Sequence, residues 1–324
     1  MSSSTSSFRN ELKVVCLVLA VLLACELLIR GREDALSLDL RHTKEIPAIS
    51  QQLSEAKENR VLFLGNSMTR YGVNPSVFED EMRAHGVGPL RVARVFPDAT
   101  SVTDWYYAFK HYFVDAGHPP DVLIVGFAGG DLQVEHAVEP ARLARYYSSA
   151  RDIPEVFRED VRDFDGRFEF LLADVSSSFA NRTRVRTRVL DSLIPNYRES
   201  AQQLNRAMKM ADRQNSSQQQ PTYRRLEQFI DLAKQNGIQV IFVAMPIREP
   251  YDLDAQLRRK IEAGGMTLID GRSIEGLGPD DYVDELHMTP DGAAIYSRFL
   301  ARQLATRFPL NHQDASSVAA GDGQ

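Results

Sequence analysis

The sequence predicts an α/β protein, a parallel sheet covered by helices on both faces. Three observations carry this. Short apolar runs, several rich in Val and Ile, recur along the chain and mostly end in turn residues. Helical patterns separate them, and strands alternating with helices imply parallel pairing. The chain has 324 residues, 43% hydrophobic and 25% charged, enough for one large globular domain or two small ones. Its net charge of -6 argues against a general nucleic-acid binder. Both cysteines, Cys16 and Cys25, lie near the N-terminus. No disulfide can therefore staple the folded part, which must live on its own core.

Residues 1–13 form a short polar N-terminus. The apolar stretch from Val14 to Ile29 follows, preceded by Arg9 and Lys13 and followed by Arg30 and Arg32. A bilayer core asks for about 17–25 apolar residues. The segment 14–30 reads as a transmembrane signal anchor, with Glu26 placed to reach the headgroups. A cleaved signal peptide is a second reading. In that case Leu22-Leu23-Ala24-Cys25 resembles a lipoprotein box that would leave a lipid on Cys25. A buried soluble helix is the third. A short flank before a long domain favours a domain outside the cytoplasm.

Residues 31–59 are polar and read as a stalk. The strands expected next are Val61–Leu64, Leu90–Phe96, Asp121–Phe127, Ile238–Ala244 and Thr267–Ile269. Helical patterns include Val102–Val114 and Tyr223–Asn236, the latter stopped by Asn236-Gly237. Five such strands suit a flavodoxin-like three-layer α/β/α sandwich over residues 60–308. Between 132 and 221 no strand is expected. Helical stretches at Ile153–Leu172 and Asn181–Ile194 make this a helical insertion after the third strand, a lid, a partner surface or packing alone. Gln214–Pro221 reads as a polar loop and 309–324 as a disordered tail. The run Arg182 to Arg188 reads as a solvated helix face or a patch for anionic lipid or acidic glycan. Asn181-Arg182-Thr183 and Asn215-Ser216-Ser217 match the glycosylation triplet, which is frequent by chance.

Two short segments carry chemistry. Val61-Leu62-Phe63-Leu64-Gly65-Asn66-Ser67 is an apolar run that breaks at a Gly with a Ser just beyond. A buried parallel strand delivers a nucleophile to the loop at its carboxyl end in this way. Asp284-Glu285-Leu286-His287 stands just before a helix expected to begin near Pro290. A Ser, a His and an Asp at loop ends of one sheet are the equipment of acyl transfer.

At Gly65-Asn66-Ser67 and Asp284-x-x-His287 the chain resembles the SGNH (GDSL-type) hydrolase superfamily, over about Arg60 to Arg307 apart from the insertion. The resemblance implies Ser67 as nucleophile, His287 as general base and Asp284 as the acid that orients it. It implies an oxyanion hole from the Ser67 N–H, a glycine N–H after the second strand and an asparagine after the third. Here Asp98 stands in the glycine's place and Gly130 in the asparagine's. Asn66 stands where the family has its name-giving Asp. Asn66 and Arg70 flank the nucleophile as candidate substrate contacts, with Tyr71 beside them. No metal or organic cofactor is implied, and no close-spaced ligand cluster joins Asp131, His136, Asp284 and His287. Membrane-anchored proteins of similar layout act on acyl groups of envelope polymers, some with a polytopic membrane acyltransferase. The resemblance thus implies an extracytoplasmic ester hydrolase acting on acyl, notably acetyl, esters of an envelope carbohydrate. An O-acyltransferase subunit is an alternative, as is a non-catalytic scaffold.

Overall fold

A computed structural model describes residues 4–133, 138–197, 200, 201, 204 and 222–307. The chain divides into two compact units, one of residues 1–45 with 137–222 and the other of residues 46–136 with 223–324. The expected loop at Gln214–Pro221, the tail from 309, His136 and the Asn215 triplet lie outside the described residues.

The second unit is built on five strands: β1 (Asn59–Leu64), β2 (Leu90–Val95), β3 (Val122–Phe127), β4 (Gln239–Ala244) and β5 (Thr267–Asp270). Each expected strand is present, with ends shifted by at most two residues. All pairs are parallel, in the order β2-β1-β3-β4-β5. The order reverses between β1 and β3, so the switch point at which open α/β sheets place their ligands lies beyond the carboxyl ends of these two strands. β3 is buried along its whole length, as a central strand covered on both faces must be.

The helices, numbered in chain order, are α1 (Ser4–Arg30), α2 (Glu33–Leu36), α3 (Leu38–Ser54), α4 (Ser67–Gly72), α5 (Pro75–Ala84), α6 (Val102–Phe109), α7 (Pro140–Arg142), α8 (Ile153–Glu159), α9 (Phe164–Val175), α10 (Ser177–Ala180), α11 (Arg182–Leu193), α12 (Arg224–Gln235), α13 (Ala255–Ala263) and α14 (Pro290–Ala305). Side chains alternate across each strand. Val61, Phe63, Ile124, Ile241 and Val243 join Phe78 and Met82 of α5 and Tyr296, Leu300 and Leu304 of α14 in one core. Phe242, pointing the other way, meets Phe229 of α12, which packs on Phe109 of α6. These two helix layers around the sheet make the three-layer sandwich. The helical pattern expected over Val102–Val114 is α6 continued by a wider turn, Lys110–Val114.

The first unit is helical, and its described residues contain no strand. The helix expected over Ile153–Leu172 is two helices, α8 and α9. Asp163 takes an extended backbone and accepts from the Gly166 N–H, starting a new helix where the apolar periodicity runs on unbroken. α1 presents an apolar stretch, Asn10–Arg30, long enough to cross a membrane and without protein cover. Glu26 does not reach outward as expected. Its carboxylate accepts from Ser176 Oγ (2.8 Å) and from the N–H groups of Ser177 (2.8 Å) and Ser178 (2.9 Å), binding the start of α10. Within the same unit the buried carboxylate of Glu33 is met by Arg145 Nε (3.2 Å), Lys44 Nζ (3.5 Å) and Tyr146 Oη (3.4 Å). Asn181 is buried, and its amide donates to Tyr146 Oη at 2.7 Å and Ser177 O at 3.0 Å, so it presents no glycosylation site. In the basic run, Arg182 pairs with Glu169, Arg184 with Asp39, and Arg188 with the Ala35 carbonyl.

Candidate active site

The nucleophile loop is shaped by a close approach of β1 and β3. A Cβ on Gly65 would lie 2.0 Å from Thr69 Oγ1 and 2.9 Å from the Gly126 carbonyl, so the chain can pass there only as glycine. Asn66 then caps α4, its Oδ1 accepting from the Met68 N–H at 3.0 Å. A serine at a helix start commonly serves as the cap. With Asn66 in that role, Ser67 occupies the first helical position and its hydroxyl is available for other work.

That hydroxyl meets His287. Ser67 Oγ lies 2.8 Å from His287 Nε2, and His287 Nδ1 lies 2.9 Å from Asp284 Oδ2. Asp284 Oδ1 also accepts from the N–H groups of Leu286 (2.8 Å) and His287 (2.9 Å), closing the turn on itself. The turn is pinned at its base, where the Val283 N–H donates to the His287 carbonyl at 2.8 Å and Tyr282 pairs with Met288 across an antiparallel bridge. Thr289 then caps α14, and Gly292 sits so close that a Cβ would fall 2.5 Å from the Asp281 carbonyl. Burial pushes the Asp284 carboxyl up, but the bonds from His287 Nδ1 and from the two backbone N–H groups outweigh it, leaving its pKa below the ordinary value. An ionised Asp284 accepts from Nδ1–H. The lone pair of Nε2 is then turned to the Ser67 hydroxyl, the geometry a general base needs. The Tyr71 ring packs on His287 with centroids 4.9 Å apart, fixing the imidazole from the side.

The remaining expected site residues fall around this line. Asn66 is buried, and its Nδ2 donates to Asp131 Oδ2 at 3.1 Å and to the Thr100 carbonyl at 3.4 Å. With Oδ1 engaged by Met68, its polar atoms are committed to the protein, which makes Asn66 a positioning residue rather than a substrate contact. Arg70 lies one turn beyond Ser67. Its guanidinium pairs with Asp98 Oδ2 at 3.3 Å and sits over the rings of Tyr71 and Phe96. The Asp98 carboxylate is thus matched with a cation, which offsets the repulsion that a bare carboxylate would exert on a developing oxyanion. After β2 a left-handed backbone falls at Ala99 (φ 53°), one residue past Asp98. After β3 it falls at Gly129 (φ 52°), and Gly130 follows. Among the described residues, no acceptor meets the Ser67 N–H or the Gly130 N–H. These are donors at the carboxyl ends of adjacent strands.

Asp131, weighed in the sequence only as a metal ligand, organises the loops around the site. Its Oδ2 accepts from Asn66 and from the Ala128 N–H (3.0 Å), and its carbonyl accepts from the Val102 N–H (2.9 Å). It therefore ties together the loops after β1, β2 and β3. Desolvation pushes its carboxyl up to about 6, against the bonds from Ala128 and Asn66. The available signal was its position directly after Gly129-Gly130. No group of three or more His, Cys, Asp or Glu able to hold a metal occurs among the described residues.

No family model matches the sequence, and no curated protein does. Solved structures are similar to it at low identity. A lipase/acylhydrolase from Enterococcus faecalis is 12% identical with a TM-score of 0.39, covering 78% of this chain and 99% of its own. A GDSL-like lipase from Bacteroides thetaiotaomicron is 12% identical with a TM-score of 0.40, covering 82% and 98%. A catalytic mutant of an acetylxylan esterase from Geobacillus stearothermophilus is 13% identical with a TM-score of 0.37, covering 77% and 94%. Likeness at this level carries no argument about activity. What the chain does has to be read from its own site.

Proposed function

We propose that the chain is an SGNH-type ester hydrolase working through an acyl-enzyme on Ser67. The observation that carries this is the unbroken line Asp284–His287–Ser67, at 2.9 and 2.8 Å. Ser67 Oγ attacks the acyl carbonyl carbon while its proton passes to His287 Nε2, and Asp284 stabilises the imidazolium that forms. The carbonyl oxygen becomes an oxyanion held by the N–H groups of Ser67 and Gly130. Collapse breaks the ester C–O bond, and the alcohol leaves with the proton from His287. Water then attacks the acyl-serine by the same steps and releases the carboxylic acid. Arg70, paired with Asp98, borders the site and is the proposed substrate contact.

The substrate class proposed is an acyl, notably acetyl, ester of an envelope carbohydrate. α1 is the proposed anchor, with the catalytic unit outside the cytoplasm. That uncovered apolar helix also favours a second reading, an O-acyltransferase subunit beside a polytopic membrane acyltransferase. There a sugar hydroxyl replaces water at the second attack, an outcome set by water exclusion and acceptor binding.

The test is covalent labelling of the full chain in detergent with a fluorophosphonate, read by intact mass beside Ser67→Ala. A single adduct, absent in the variant, is expected. No adduct under conditions that label a known serine esterase would refute the reading.

A further inference from the structure

We infer that the outer face of α9 rests on the lipid bilayer, giving the first unit a second membrane contact beside α1. Phe164, Phe168, Leu171 and Val175 of α9 are 79%, 55%, 46% and 66% exposed. At about 100° per residue they fall within an arc of roughly 60°, so they form one narrow stripe rather than scattered side chains. The opposite side of the helix is already spent on protein, with Phe170 and Ala173 buried. The rings of Phe164 and Phe168 stack in near-parallel planes, 6.4 Å between centroids, and extend the apolar surface. Contiguous apolar patches on a helix face mark a contact with a partner or a membrane.

The occupant follows from where the stripe ends. Arg30 at the end of α1 donates to the Val175 carbonyl at 2.8 Å. Glu26, one turn earlier, binds Ser176, Ser177 and Ser178 at the start of α10. The Val175 end of the stripe thus lies beside the last turn of α1, where the uncovered apolar surface of that helix stops. This step rests on α1 lying in a bilayer. The polar residues flanking the stripe are Asp163, Asp165, Asp174 and Arg167, whose guanidinium is taken up by the Val161 and Phe157 carbonyls. In the nearby basic run Arg182, Arg184 and Arg188 are engaged by partners of the same unit, and Arg186 alone is exposed without one among the described residues. Attraction to anionic headgroups is therefore not what holds the face down. Burial of apolar side chains does it, and the contact is insensitive to salt and to lipid charge.

The experiment uses the full chain with Cys16→Ala and Cys25→Ala, placed in phosphatidylcholine nanodiscs. A nitroxide is attached through Phe168→Cys, and through Leu19→Cys and Asp231→Cys in separate samples. Collision with oxygen, which concentrates in lipid, is compared with collision with a water-soluble nickel chelate. Leu19 reports on α1, and Asp231 is an exposed position of the other unit. The expected result is an oxygen-to-nickel ratio at Phe168 several-fold above that at Asp231, below that at the mid-span Leu19 and unchanged by high salt. A ratio equal to that of Asp231, with Leu19 reading lipid, overturns the inference and leaves the anchor standing. Low collision with both reagents at Phe168 means that a second copy covers the stripe, which overturns it as well. A water-like ratio at Leu19 removes the anchor and the inference together.

Discussion

Replacing Asp284 by Asn separates the chemistry from the scaffold. The backbone bonds survive, because the amide oxygen can accept from the Leu286 and His287 N–H groups as Oδ1 does now. The bond to Nδ1 does not survive unchanged. An amide N–H facing Nδ1 makes that nitrogen the acceptor, moves the ring proton to Nε2 and deprives Ser67 of its base. Two terms set the size. The first is lost attraction between carboxylate and imidazolium. At about 4 Å it is roughly 1 kcal/mol in water and roughly 4 kcal/mol at an effective dielectric of about 20. Asp284 is 43% exposed and His287 24%, so the site lies between these limits. The second is the tautomer, whose loss in serine proteases brings the total to about 10⁴-fold. The expected fall in kcat is about 10²- to 10⁴-fold, or roughly 3–5 kcal/mol. The assay is hydrolysis of p-nitrophenyl acetate by the full chain in detergent, with Ser67→Ala as the baseline and thermal melting as the check on folding. A well-folded variant within about tenfold of the wild type would refute the reasoning, since a group worth less than about 1.4 kcal/mol is not orienting a general base.

Three further outcomes follow from the loops around the site. Gly65→Ala forces a Cβ to within 2.0 Å of Thr69 Oγ1, and a loss of about 1–3 kcal/mol or more is expected in denaturant melts, with hydrolysis falling as Ser67 shifts. Ala99→Gly removes a left-handed alanine, whose cost of about 1–2 kcal/mol is partly offset by the greater freedom of glycine when unfolded; the melting temperature is expected to rise slightly and fluorophosphonate labelling to persist. Asp131 is held up at about 6 by burial, so the folded chain keeps a proton there that the unfolded chain has lost. Its contribution is fully present below the ordinary carboxylate range and is lost as pH rises through about 6. Melts of Asp131→Asn at pH values on either side of that window are expected to lack this decline, about 1–3 kcal/mol in the wild type; an unchanged slope would show that Asp131 is not the group responsible.

Much of this arrangement is legible without coordinates. Apolar runs such as Val61–Leu64 and Val122–Phe127 can be satisfied only inside a covered sheet, so strand positions and parallel pairing follow from local pattern. Ser67, Asp284 and His287 stand out because a turn after such a strand and a tight Asp-x-x-His turn are local features as well. Other elements depend on neighbours far along the chain. Asn66 reads as a substrate contact until Asp131 and Thr100 are seen to hold its amide. Asp98 reads only as a residue in the place of the family's glycine until Arg70 is seen beside it, and the left-handed backbone of that loop belongs to Ala99. The break between α8 and α9 is invisible to periodicity, because apolar spacing continues through Asp163.

The sequence by itself determined the strands, the apolar N-terminal helix and the three residues of the proposed triad, since each is written in a short window of side-chain pattern. Tertiary structure alone decided the partners of the polar groups and the fate of apolar faces. Glu26, bound to the start of α10, and Phe164 and Phe168, left uncovered on α9, would carry the same local pattern in any fold. Hydrogen bonding and burial are relations between distant segments, and only their meeting in space settles which side chain is satisfied and which is still exposed.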